Sequence, residues 1–240
     1  MMRMDPAARR LRDAIADSST KGSLLADGCA VLPGVLDFDD CQALRNMYAD
    51  DALFRSTIAM ARHAFGSGEY RYFCDPVAEP VRRLRRSAYG ELAPLANVIG
   101  AETGAHAAWP ATLEALSAQC RAAGQARPTS LMLRYRTGDF NRLHQDRYGD
   151  VMFPLQLVFL LSEPEVDFEG GSFVMTESRP RMQSRTIVSP LRMGDAALFF
   201  GAERRVRSTR GWATAQMRHG VDKVRSGERY ALGVIFHDAP

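Results

Sequence analysis

The spacing of apolar residues changes once along this chain, near Pro128. Before it, the pattern is helical. A short amphipathic helix is predicted from residue 7 to about residue 18. Cys29–Leu32 reads as a short apolar strand stopped by Pro33-Gly34, and Asp39-Asp40 then cap a helix running to about Tyr48. Pro80 suits the first turn of a helix carrying Val81, Leu84, Tyr89 and Leu92 on its inner side. Residues 111–123 read as another, with Leu113, Leu116 and Cys120 at helical spacing. After Pro128 the runs become short and β-like: 130–135, 152–161, 171–176, 186–188, Ala196–Phe200, 214–219 and 230–236. Gly, Pro, Asp and Ser punctuate them, as in an antiparallel sandwich or barrel. Pro154 marks its end of a strand as an edge or bulge, and Gly170-Gly171 and Gly194 read as turn positions needing a permissive backbone. The expectation is an α+β chain with a mainly β core. It forms one domain over 1–240, with a helix-rich supporting part at 1–127 and the β core at 128–240.

Composition adds loose bounds. The chain has 240 residues, 25% charged and 46% hydrophobic, the balance of an ordinary globular protein able to bury a substantial core. Cys29, Cys41, Cys74 and Cys120 are scattered without a C-x-x-C pair, so they read as reduced packing thiols rather than a disulfide frame or zinc site. The first twenty residues lack a secretory signal, and no run approaches the roughly 20 apolar residues of a membrane span. A cytoplasmic protein without a membrane partner is expected. The net charge of +3 is too small to establish a nucleic-acid partner. Its distribution says more: Arg179, Arg181, Arg185, Arg192, Arg204, Arg205, Arg207 and Arg210 face only Asp195 and Glu203 in the same stretch. That stretch is either a solvated face or a surface that neutralises phosphates.

The chemistry centres on His144-Gln145-Asp146, on His219, and on Arg229 ten residues beyond it. Two imidazoles and one carboxylate are the ligand set of a mononuclear non-haem iron(II) site with open coordination positions. His144 and Asp146 alternate on one face of an extended segment, and His219 returns on another strand. Arg229 offers a permanent cation suited to a carboxylate, which points to oxygen chemistry driven by a 2-oxo acid. Tyr135 faces inward if its strand alternates regularly, either as a contact for that acid or as a plain core aromatic. Gln156, an amide inside an apolar run, needs a partner, which is either the cosubstrate or a backbone group. Arg147 and Tyr148 lie just beyond the ligand pair, where a substrate approaches. His63, His106 and His237 are not expected to bind metal, and His237 reads as structural.

Four segments, in order, carry a resemblance: L-R-Y-R-T-G-D-F-N-R-L-H-Q-D from Leu133, Glu169-Gly170-Gly171, Gly194-Asp195-Ala196-Ala197-Leu198-Phe199, and H-G-V-D-K-V-R-S-G-E-R-Y from His219. Together they resemble the Fe(II)/2-oxoglutarate-dependent dioxygenases of the prolyl-hydroxylase type. More closely, the chain resembles a bacterial 2-oxoglutarate–iron oxygenase group described as acting oxidatively on damaged, alkylated DNA. That likeness runs through Phe54-Arg55-Ser56, Met60-Ala61-Arg62-His63, G-S-G-E-Y-R-Y-F from Gly66, Pro128, R-P-R-M-Q-S-R from Arg179, and Ile235-Phe236-His237-Asp238.

The resemblance implies a double-stranded β-helix, or jelly roll, with iron at its open end. It implies Fe(II), 2-oxoglutarate and O2 as the reacting set, iron held by His144, Asp146 and His219, and the distal carboxylate of the oxo acid on Arg229. The activity implied is hydroxylation, which on an N-methyl group ends in demethylation. For an alkylated base, Tyr70, Tyr72 and the arginine-rich stretch would supply stacking and phosphate contacts. The offset from His219 to Arg229 is nevertheless shorter than in the well-known alkylated-DNA dioxygenases, and the second arginine of their closing motif has no counterpart here. Hydroxylation of a free amino acid, peptide or small metabolite is therefore an alternative, as is a metal- and oxo-acid-binding sensor without turnover.

Overall fold

Capping chemistry organises the helical first third of the protein, a computed structural model of which describes residues 6–105, 108–209 and 211–240. The expectations for His106, for Arg210 and for the His63 side chain lie outside the described residues. α1 (Pro6–Ala16) buries Ala7, Ala8, Leu11 and Ile15. It stops short of residue 18 because the Asp17 carboxylate accepts from Ser19 N and starts a second helix, α2 (Ser18–Asp27). α2 escaped the sequence pattern because only Thr20 and Leu24 of its ten residues are buried, which leaves almost no periodic signal. β1 (Cys29–Leu32) follows as expected. α3 (Phe38–Met47) is capped by Asp37 rather than by Asp39-Asp40: Asp37 accepts from Asp40 N while Asp40 accepts from Asp37 N, a reciprocal capping box.

The part before residue 128 is not purely helical. β2 (Phe54–Ala59), β3 (Gly66–Ser67) and β4 (Glu69–Phe73) lie within it. Their mixed polar and aromatic composition hid them, since β4 alternates Glu69 and Arg71 with Tyr70 and Tyr72 and becomes a strand by pairing with its neighbours. α4 (Glu79–Thr103) carries Pro80 in its first turn, and α5 (Leu113–Ala122) is capped by Thr112. Among the described residues no helix is long and apolar enough to cross a membrane.

The remaining strands are β5 (Leu131–Arg136), β6 (Phe140–His144), β7 (Leu155–Leu160), β8 (Phe168–Gly170), β9 (Phe173–Ser178), β10 (Arg185–Ser189), β11 (Ala196–Phe200), β12 (Glu203–Ser208), β13 (Gly211–Val221) and β14 (Val224–Val234). They build two antiparallel sheets. The larger runs β1-β11-β7-β14-β5-β4-β2, with β8 on β14; the smaller runs β10-β9-β13-β6-β3, with β12 on β13. This is the expected jelly roll. β7 and β11 are buried along their whole length, as central strands covered on both faces should be. Pro154 sits just before β7, where no ladder hydrogen bond is lost. Gly170, Gly171 and Gly194 have φ of 73°, 59° and 87°, the left-handed backbone expected of them.

The arginine-rich stretch is only partly a surface. Arg204 and Glu177 are 2% and 3% exposed as side chains and pair with each other, and Arg179 also pairs with Glu177 at 2.7 Å. Arg204 reaches on to the carbonyls of Leu25 and Ala26 at 2.7 and 2.9 Å, tying down the end of α2. Arg185 is paired with Asp27 at 2.8 Å.

Candidate metal centre

β6 and β13 are neighbours, and their register sets His144 directly opposite His219. Gly220 makes the approach possible, because a Cβ there would lie 2.6 Å from the Asn141 carbonyl oxygen. Asp146 lies beyond the end of β6 rather than on it, so the loop needs its own anchor. Gln145 provides it: its amide nitrogen donates to the carbonyls of Ala202 and Met217 at 2.6 and 2.8 Å. Nothing in the local sequence marked Gln145, since its acceptors lie 57 and 72 residues away, in the turn after β11 and in β13.

The three side chains form a convergent donor set, with ligand atoms all within 4.8 Å of one another. His144 Nε2 is 3.5 Å from Asp146 Oδ1, and His219 Nε2 is 3.3 Å from Asp146 Oδ2. His144 Nδ1 meets the Arg142 carbonyl at 2.8 Å; a proton donated there leaves the Nε2 lone pair facing the carboxylate. Burial and the neighbouring His219 lower the pKa of His144, which favours the neutral ligand form. Burial alone would raise the Asp146 pKa; hydrogen bonding and charge from His219, with His144 and Tyr148, hold it well below the usual carboxylate range. Tyr148 donates to Asp146 Oδ1 at 3.1 Å and meets Tyr72 Oη at 3.1 Å, while Arg55 lies 4.6 Å over the Tyr72 ring.

The set opens into a cavity of ≈ 310 Å³. Its lining includes Tyr135, Gln156, Arg229, Tyr70, Tyr72, Arg147 and Tyr148, so the chain brings together every residue that the sequence singled out for the site. Phe65, 48% exposed, and Asn141 also line it and carried no sequence signal. Tyr135 does face inward, although not by alternation along one strand: a turn separates β5 from β6, and Asn141 Nδ2 returns to donate to Tyr135 Oη at 3.4 Å. Arg147 leans outward, pairing with Glu203 at 2.6 Å.

Arg229 is the most telling group. It is 2% exposed, lies 5.5 and 5.9 Å from the ring centroids of Tyr135 and Phe168, and has no carboxylate partner among the described residues. Its Nε is buried without an acceptor. Burial pulls its pKa down to about 10, so it remains a cation at neutral pH. Gly171 leaves room beside it; a Cβ there would sit 3.0 Å from Arg229 Cδ. A buried guanidinium facing a cavity with no anion is a site shaped for one.

Comparison with known proteins agrees with this geometry. Residues 68–239 match the model of a family described as oxygenases catalysing oxidative methylation of damaged DNA. Two uncharacterized proteins of Mycobacterium tuberculosis, from strains CDC 1551 and H37Rv, are each 48% identical over 164 residues, covering 68% of this chain and 70% of theirs. Among solved structures, a Burkholderia pseudomallei oxidoreductase of the 2OG-Fe(II) oxygenase family superposes with a TM-score of 0.56 at 13% identity, covering 92% of this chain and 91% of its own. A Pseudomonas putida prolyl-4-hydroxylase does so with a TM-score of 0.50 at 16% identity, covering 96% of this chain and 100% of its own. At these identities the two structures speak for the fold.

Proposed function

The chain belongs to the oxygenase family described as catalysing oxidative methylation of damaged DNA, and on that premise we propose that this iron(II)- and 2-oxoglutarate-dependent oxygenase oxidises alkyl groups on nucleic-acid bases at the cavity shared by His144, Asp146, His219 and Arg229. Iron(II), with 2-oxoglutarate and dioxygen, supplies oxidation of a C–H bond with loss of succinate and carbon dioxide, and on an N-methyl group the hydroxylated carbon leaves as formaldehyde. The residues present fit both groups: the donor set is that of a facial triad, and the orphaned guanidinium answers a carboxylate. That pairing of a complete donor set with a buried, unpaired cation in one cavity is the observation that carries the reading.

Each side chain has a task. Asp146 is already ionised and aimed, so a cation binds without first displacing a proton from it. His144 presents Nε2 because Arg142 holds Nδ1. Arg229, whose guanidinium lies against the Tyr135 and Phe168 rings, would hold the distal carboxylate of the oxo acid, and Tyr135 and Gln156 line the same cavity. Leu131, Leu133, Val158 and Ile235 add apolar surface to the lining. Tyr70, Tyr72 and Tyr148 flank the ligands and offer flat surfaces against which an unstacked base can rest. A cytoplasmic location accords with four free cysteines, three of them buried.

The test is a methylated single-stranded oligonucleotide incubated with the protein, iron(II) and 2-oxoglutarate in air. Succinate and formaldehyde should form together, and Asp146→Ala should form neither while keeping its circular dichroism spectrum. Succinate released only with an amino-acid or peptide pool, the methyl groups staying intact, would remove the nucleic-acid reading and leave the reaction class standing.

A further inference from the structure

The hairpin of β12 and β13 leaves the smaller sheet. Residues 216–221 of β13 pair with β9, but residues 211–215 pair with β12 alone among the described residues, so this end is a two-stranded ribbon. Its two faces differ. Arg204 and Val206 are 4% and 3% exposed and Ala215 is fully buried, so their face packs inward. Residues directly opposite in an antiparallel pair share a face, which puts Arg205 with Thr214 and Arg207 with Trp212 on the other side. There Arg207 lies 4.9 Å over the Trp212 ring. Arg205 donates to Thr214 Oγ1 at 3.0 Å and to the Trp212 and Thr103 carbonyls.

Those contacts hold the guanidinium groups without neutralising them. Among the described residues neither Arg205 nor Arg207 has a carboxylate within ion-pair distance, in contrast to Arg179, Arg185 and Arg204. Arg147 joins this face to the rim of the cavity, while His219 points from the opposite face of β13. The next pair inward is Glu203 with Gln216, and both bind Arg147, at 2.6 and 3.2 Å; Arg147 lines the mouth. Glu203 is the one acid on this track and is already taken by Arg147. Arg218, next on the same face, is exposed.

We propose that this ribbon face, through Arg205, Arg207 and Trp212, is a docking arm for the strand whose damaged base enters the cavity, with the arginines on phosphates and Trp212 against a base. The proposal rests on the nucleic-acid reading of the site. Uncompensated cations interleaved with an aromatic ring are the chemistry of a strand-tracking surface. It also fixes a distance. Trp212 and His219 are seven residues apart on one strand, on opposite faces of it and about 23 Å apart along it at roughly 3.3 Å per residue. At about 3.4 Å per nucleotide along a stacked strand, a strand rounding the rim at Arg147 reaches the arm at least about seven nucleotides to one side of the lesion.

The experiment measures binding apart from turnover. Fluorescein-labelled single-stranded oligonucleotides carrying about three or about twelve nucleotides on each side of a central base are titrated by anisotropy into wild type and into Arg207→Glu/Trp212→Ala. The variant should bind the long strand on the order of tenfold or more weaker, with the slope of log affinity against log salt reduced by about one, and should bind the short strand as wild type does. Arg207→Lys/Trp212→Phe should recover most of the loss, which separates contact from folding. Unchanged affinity and slope on the long strand would overturn the arm, as would wild type preferring poly-L-glutamate of equal charge, which would assign the face to an acidic polypeptide. A wild type that binds the long strand through these residues but never releases formaldehyde from its methylated form would uphold the arm and sink the proposed reaction.

Discussion

Arg229 is buried without an anion, and a protein keeps such a group only where it gains something for the loss of hydration. Arg229→Met should therefore leave thermal stability unchanged or raise it, while the KM for 2-oxoglutarate rises roughly 10- to 150-fold, the equivalent of the roughly 1.5–3 kcal/mol of hydrogen bonds to a charged group. A variant that unfolds with its cosubstrate affinity intact would mark Arg229 as structural. Tyr148 donates to Asp146, so removing its hydroxyl in Tyr148→Phe should weaken iron binding by about 10- to 100-fold, measured by competition with a chelator. His237 gives a pH signature. It is 1% exposed, both ring nitrogens lack partners, and burial brings its pKa down from 6.5 to about 4. The folded state thus binds fewer protons than the unfolded one, so stability from a neutral His237 is fully present above about pH 6.5 and is lost as the pH falls toward 4. The linkage amounts to about 2 kcal/mol at pH 5, and His237→Gln should flatten that limb of the denaturation curve. An equal acid slope in the variant would assign it to other groups.

At the scale of elements, one buried ion pair holds the ribbon to α2. Arg204 joins Glu177 of β9 to the last carbonyls of α2, and burial opposed by Arg179 and Arg204 leaves the Glu177 pKa below its ordinary 4.5. Glu177→Gln leaves Arg204 buried without its counter-charge and should destabilise the fold by about 3–5 kcal/mol in a urea titration at neutral pH. Since the folded pKa is depressed, that difference should shrink as the pH falls below 4.5. A loss under about 0.5 kcal/mol would show that solvent reaches the pair. The same contacts explain what the sequence could not disclose. β1 and β11 were legible because continuous apolar runs have few other readings. β12, Glu-Arg-Arg-Val-Arg-Ser, was not, since its arginines are strand residues only by virtue of Glu177 and Trp212 on other strands. The candidate ligands were legible because the chemistry dictates their types and the flanking turns dictate their spacing. Gln145 and Phe65 were not, because their roles exist only once distant loops have met.

For the whole molecule, two sheets meet around one cavity, and the groups filling it should couple to global stability. Metal with 2-oxoglutarate, each about 100-fold above its Kd, should stabilise the fold by about 2.7 kcal/mol per site. For a chain of 240 residues this is a rise of roughly 5–10 °C in Tm for one such site, reversed by a chelator. Arg229→Met should keep the share due to metal and lose the share due to the oxo acid. The most direct measurement is a crystal structure grown without oxygen in the presence of iron(II) and 2-oxoglutarate, with the metal located by its anomalous scattering. The iron should be bound by His144, Asp146 and His219, with the distal carboxylate of the oxo acid on Arg229. Iron bound elsewhere, or an oxo acid turned away from Arg229, would contradict the assignment.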